Sequence, residues 1–153
     1  MKYLFDMDGV LFDWVEGFEA MYGDLSQYSL EDMKRIKAEI AKTDFYKNLT
    51  PLSEGFELFE HCKKLGEVAI LTSVGKYDSE KVVADKKEAL MKVLGYVPEF
   101  LYTKSSKEKA KYAKEGVVLF DDRVKSVNPF KMAGGKAILY TGKENAIAEL
   151  RNI

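Results

Sequence analysis

The apolar residues of this chain fall in short, unbroken runs, and several runs stop at a polar residue. Residues 2–6 (KYLFD), 68–73 (VAILTS), 100–103 (FLYT), 117–122 (VVLFDD) and 137–140 (AILY) read as five strands. Continuous rather than alternating apolarity predicts a parallel sheet covered on both faces. Between the runs the spacing becomes helical. Leu58, Phe59, Cys62 and Leu65 form a stripe that Ser53 can cap and Gly66 ends. Val82, Val83, Lys86, Leu90, Val93 and Leu94 mark a longer helix face closed by Gly95. Ser105 and Glu108 have the spacing of a capping box, opening a helix that ends near Gly116. Asn128-Pro129 and Gly134-Gly135 punctuate the next stretch, and a short helix from about Glu144 closes the chain.

Strand alternating with helix means βαβ units and an α/β fold. The exception is 14–50, which is charged, helical in pattern and without a strand. It exceeds what a crossover needs. The expected organisation is a core built from 1–13 and 51–153, with 14–50 a small helical insert over the mouth of the sheet.

Composition narrows the function classes. The 153 residues suffice for one domain with a real core. A net charge of −1 argues against long nucleic acid or an anionic membrane as partner. No apolar run nears the roughly 20 residues of a membrane span. Asp6 and Asp8 interrupt the stretch where a secretion signal needs apolar residues. Cys62 is the only cysteine, so no internal disulfide forms. A cytoplasmic protein is the expectation.

The candidate chemistry sits where the strands end. In open α/β sheets, ligands bind beyond the carboxyl ends of the strands. There the first strand presents Asp6 and Asp8, the second Thr72 and Ser73, and the fourth Asp121 and Asp122. Two unit charges about 4 Å apart repel by about 4 kcal/mol at an effective dielectric near 20. Four converging carboxylates therefore call for protonation or a cation, and oxygen ligands suit Mg²⁺. Asp6 can attack phosphorus and Asp8 can carry the proton of the leaving oxygen. Gly9 permits a sharp turn that frees amide N–H groups for phosphate oxygens. A lysine would neutralise phosphate charge.

At these residues the chain resembles the haloacid dehalogenase-like (HAD) superfamily of phosphohydrolases. FDMDGVL (residues 5–11), Thr72 in ILTS and Asp121-Asp122 in LFDDR stand in that family's order and strand-end placement. The resemblance implies a Rossmann-like three-layer fold with a five-stranded sheet in the order 5-4-1-2-3, and it makes 14–50 a type-1 cap. It implies Asp6 as nucleophile and Asp8 as general acid/base. Mg²⁺ would be held by Asp6, the Asp8 main-chain carbonyl, Asp121 and Asp122. Phosphate would be bound by Asp6, Met7, Asp8, Thr72, Ser73 and a lysine. The segment KSSKEKAK offers Lys104, Lys107, Lys109 and Lys111 for that lysine; Lys107, nearest the capped helix start, is preferred narrowly over Lys109.

DMDGVLFDW, FYKNLTPLSEGFE and DDRVKSVNPF are more loosely similar to the 5′(3′)-deoxyribonucleotidase group. The expected activity is thus a Mg²⁺-dependent phosphomonoesterase with a small phosphate-ester substrate such as a nucleoside monophosphate. A sugar-phosphate or polynucleotide-end phosphatase and a non-catalytic binding module are the alternatives. Other residues have plainer readings. Asp13 caps the helix at Trp14, His61 is a surface side chain, Cys62 belongs to the core, and the lysines from Lys76 to Lys87 form solvated faces. Phe12, Trp14, Phe18, Phe45 and Tyr46 pave either a base-stacking pocket or the insert's own small core.

Overall fold

The computed structural model describes all residues, 1–153. Strand β1 (Lys2–Phe5) lies at the centre of a five-stranded sheet, between β2 (Glu67–Ser73) and β4 (Val117–Asp121). β3 (Phe100–Thr103) and β5 (Lys136–Leu139) are the edges. The order is β3-β2-β1-β4-β5, the expected order seen from the other edge, and every pairing is parallel.

The alternation of side chains along each strand divides the core. Tyr3 and Phe5 of β1 join Val118 and Phe120 of β4 in one buried cluster. Helix α3 (Ser53–Lys63) adds Leu58, Phe59 and Cys62, and α4 (Ser79–Leu94) adds Ala89 and Leu90. α6 (Lys143–Leu150) contributes Ala146. Leu4, Ala69, Leu71 and Leu119 point the other way, onto Val127 and Phe130 of α5 (Val124–Met132). Phe5 is the pivot. Its ring stacks on Phe120 at 4.9 Å between centroids and meets Phe59 edge-on at 5.1 Å. Burying such a side chain contributes about 1.5–3 kcal/mol.

Residues 14–50 hold α1 (Trp14–Tyr22), a short 3₁₀ turn and α2 (Leu30–Ile40), with no strand. Asp13 caps α1, its Oδ1 accepting from the Glu16 N–H at 3.1 Å. Ser29 and Asp32 cap α2 reciprocally. Phe18, Ile36, Ile40, Phe45 and Leu49 of this segment lie in the same cluster as Phe5. The segment thus shares the main core. Its two ends meet where the Asp13 N–H donates to the Thr50 carbonyl at 2.9 Å.

Several local expectations need correction. Ser53 is the first residue of α3 and not its cap; Leu52 occupies the cap position without a side-chain bond. Leu65 leaves the stripe and is 52% exposed, because α3 stops two residues earlier. The helix after Ser105 is a 3₁₀ helix, Lys107–Tyr112, that ends short of Gly116. Its sequence is charged and lacks the 3.6-residue apolar repeat that would sustain a longer α-helix. Its start keeps the Ser105–Glu108 pairing, with Glu108 N–H on Ser105 Oγ at 3.4 Å and Ser105 Oγ donating to Glu108 at 3.0 Å. Pro129 lies inside α5, where it forfeits one helical hydrogen bond.

Gly55 explains how closely α3 approaches the loop after β1. A Cβ there would collide with the Val10 carbonyl oxygen. Gly55→Ala is expected to cost about 1–3 kcal/mol through overpacking. Urea denaturation measures this, and a loss below about 0.5 kcal/mol would mean that α3 can retreat from the loop.

Candidate active site

The site begins where β1 runs out. Asp6 still belongs to the sheet, since its N–H donates to the Phe120 carbonyl at 3.0 Å. The chain then turns tightly. The Met7 carbonyl accepts from the N–H groups of Val10, Leu11 and Phe12 at 3.2, 2.9 and 3.0 Å. The Met7 side chain is buried, while Asp6 and Asp8 face a common cavity. The N–H groups of Met7 and Asp8 make no hydrogen bond within the protein. Gly9 is needed here twice over. Its φ of +84° favours glycine, and a Cβ would strike the Asp122 carboxylate.

Two buried ammonium groups organise the carboxylates. Lys109 Nζ lies 2.9 Å from Asp6 Oδ1 and 2.7 Å from Asp121 Oδ2. Lys86 Nζ lies 3.1 Å from Asp8 Oδ2, and it donates to Thr72 Oγ1 at 2.7 Å and to the Ser73 carbonyl at 3.0 Å. Both lysines are 1% exposed. Burial pushes the Asp6 carboxyl above the usual carboxylate range, an effect that Lys109 opposes and Asp121 reinforces. Burial also raises Asp8, with Lys86 opposing it. Asp122 rises to about 8, through desolvation and then the neighbouring Asp6 and Asp121 carboxylates. Burial holds the Cys62 thiol up at about 12, which fits its core position and removes it from the candidate nucleophiles.

These groups open onto a cavity of about 540 Å³, within the range of small-molecule sites. Asp6, Asp8, Asp122, Ser73 and Lys109 are among its lining residues. The segment 14–50 also contributes to the wall, with Trp14, Leu25, Met33, Lys37 and Tyr46.

The structure thus brings Asp6, Asp8, Asp121, Asp122, Thr72 and Ser73 to one rim, as the strand-end argument expects. The lysine preference reverses. Lys107 is exposed and touches none of these groups, whereas Lys109, two residues on, turns inward. Residues two apart project to different sides of either a 3₁₀ helix or an α-helix, so the way this turn docks against the sheet decides that Lys109 and not Lys107 faces Asp6. Thr72 is fully buried, stands behind the cavity wall and is engaged by Lys86. Lys86 itself corrects the reading of Lys76 to Lys87 as solvated. The signal was its place on the apolar stripe, in line with Val82, Ala89 and Leu90, where only a paired ammonium is tolerated. The aromatics divide. Phe12, Phe18 and Phe45 are core, while Trp14 and Tyr46 reach the cavity.

The donor set fits a hard divalent cation. One carboxylate oxygen from each of Asp6, Asp121 and Asp122 lies within 4.8 Å of the others. The Asp8 main-chain carbonyl accepts no backbone hydrogen bond. Asp122 is raised first by desolvation and then by the neighbouring Asp6 and Asp121 carboxylates, a repulsion that a cation among the three would relieve. All four are oxygen donors, as Mg²⁺ prefers.

Among known proteins, no family model and no curated sequence matches this chain. Solved structures do share its fold. A hydrolase from Streptococcus pneumoniae TIGR4 is 14% identical with a TM-score of 0.56, over 99% of this chain and 98% of that one. The L-2-haloacid dehalogenase of Xanthobacter autotrophicus is 15% identical with a TM-score of 0.54, over 99% of this chain and 82% of that one. The likeness is one of fold, extending through the helical segment as well as the sheet. No helix is long and apolar enough to cross a membrane.

Removing the Lys109 ammonium leaves two buried carboxylates facing each other. Lys109→Met is expected to cost about 3–5 kcal/mol in chemical denaturation at neutral pH. Lys107→Met is expected to change stability by less than about 0.5 kcal/mol. Equal effects of the two substitutions would contradict the placement of Lys109.

Proposed function

We propose that the protein is a HAD-type phosphomonoesterase that uses Mg²⁺ and forms an aspartyl-phosphate on Asp6. The observation that carries this reading is the Asp6–Asp8 pair on a rigid rim. Lys109 sits on Asp6, and the free Met7 and Asp8 N–H groups stand beside a cavity of small-molecule size.

The reaction divides into two displacements. An Asp6 carboxylate oxygen attacks phosphorus, and the bond from phosphorus to the substrate's ester oxygen breaks. Asp8 gives its proton to that oxygen, releasing the alcohol. Asp8, now a carboxylate, takes a proton from water as the water oxygen attacks the phosphoryl group. Inorganic phosphate leaves and Asp6 is restored. Lys109 spends two of its three N–H groups on Asp6 and Asp121, so one remains for a phosphoryl oxygen. The Met7 and Asp8 amides and Ser73 would complete the phosphate seat. Mg²⁺, held by Asp6, the Asp8 carbonyl, Asp121 and Asp122, would neutralise charge on the phosphoryl oxygens.

The segment 14–50 acts in this reading as a cap that shapes the substrate wall. Trp14 and Tyr46 on that wall favour a substrate with a flat ring, such as a nucleoside monophosphate.

Phosphate release from nucleoside 5′- and 3′-monophosphates and sugar phosphates tests the proposal. Activity is expected with Mg²⁺, to vanish with EDTA, and to vanish in a folded Asp6→Asn variant. Substantial turnover by that variant would sink the mechanism. Independently of activity, Mg²⁺ is expected to raise the melting temperature of the wild type and not that of Asp121→Asn. An equal rise in both would move the cation elsewhere.

A further inference from the structure

Lys86 is the buried charge that the proposed reaction leaves without a task. It projects from the middle of α4 into the space behind the rim. An ammonium has three hydrogens to donate. Here Asp8 Oδ2, Thr72 Oγ1 and the Ser73 carbonyl take all three. The ammonium also lies 5.0 Å from the centre of the Tyr46 ring, a cation–π contact from the segment 14–50. Lys86 does not line the cavity. It therefore has neither the access nor a spare donor to bind a phosphoryl group, in contrast to Lys109, which retains one.

Its effect on Asp8 is geometric. Asp8 Oδ2 is tied down, while Asp8 Oδ1 has no partner in the protein. The same ammonium holds the end of β2 through Thr72 and Ser73. We infer that Lys86 is a positioning residue that fixes the Asp8 carboxyl so that its free oxygen faces the leaving oxygen of the substrate. Tyr46 packs against that ammonium, so the segment that forms the cavity wall also braces the proton carrier. The inference rests on the phosphomonoesterase reading above.

The test is a comparison of leaving groups. An aryl phosphate such as p-nitrophenyl phosphate expels a stable anion and needs little protonation; an alkyl phosphate such as β-glycerol phosphate needs it. The parameter kcat/KM covers the steps through loss of the leaving group, so it isolates Asp8 acting as an acid. In Lys86→Met, kcat/KM is expected to fall about tenfold further for the alkyl than for the aryl ester, a fraction of the 10²–10⁴ that general acid catalysis contributes. Lys86→Gln, which keeps two of the three donor hydrogens on a shorter, uncharged side chain, is expected to show the same pattern at smaller size. The Asp8→Asn/Lys86→Met double variant is expected to be no slower than Asp8→Asn alone, because Lys86 acts through Asp8.

Equal losses on both esters, or multiplicative losses in the double variant, would overturn the inference while leaving the phosphatase reading intact. Failure of both Lys86 variants to fold would assign Lys86 a purely structural role and also overturn it. A wild type inactive on every ester would instead remove the phosphatase reading, and this inference with it.

Discussion

Lys109 stands between two carboxylates that belong to different strands, Asp6 after β1 and Asp121 at the end of β4. Few interactions in the molecule do as much. The backbone ladder already holds β1 beside β4, with Phe5 opposite Phe120. That ladder brings the two carboxylates together whether or not their charges agree. The ammonium makes the juxtaposition tolerable, since buried like charges without a counter-ion would be protonated or would push the strands apart. Lys86 repeats the arrangement one strand over, linking Asp8 to the end of β2. Three neighbouring strand ends are thus joined by two cations in addition to the backbone ladder.

The rest of the architecture supports that arrangement. β1 is buried on both faces and paired on both edges, so the backbone at Asp6 has little freedom. The turn on the Met7 carbonyl then aims Asp8 with a minimum of chain. α4 and the 3₁₀ helix each deliver one lysine from a different direction. A site built in this way on rigid elements has its geometry paid for by the fold before any ligand arrives.

Much of this was legible in the sequence because it depends on local pattern. Short unbroken apolar runs gave the parallel sheet. The polar residue at the end of each run gave the rim, and Asp13 announced the start of α1. What was not legible depends on distances between segments. Lys107 and Lys109 differ by two positions in a charged stretch, and only the docking of their turn against the sheet decides which one points inward. Lys86 was visible on the apolar stripe of α4 yet had no partner in view, because Asp8 lies 78 positions away. Thr72 stands at the expected strand end, but its hydroxyl is turned to a lysine whose depth the sequence did not disclose. The split of the aromatics into core (Phe12, Phe18, Phe45) and wall (Trp14, Tyr46) likewise required the packing of three helices.

The hydrogen bond between Asp13 and Thr50 has a consequence of another kind. Thirty-seven residues leave and return across a neck closed by that contact at 2.9 Å and, next to it, by the Leu52 N–H on the Leu11 carbonyl at 2.8 Å. The sheet's register is indifferent to what lies between those points, so this is where a lineage can change chain length and wall chemistry without disturbing the rim. The freedom has a limit, because Phe18, Ile36 and Phe45 reach into the common core. Drift on the outward face of the excursion is cheap, whereas drift on its inward face is felt as far as Phe5. Selection for a new substrate would therefore leave its traces on one side of these two helices and spare the other.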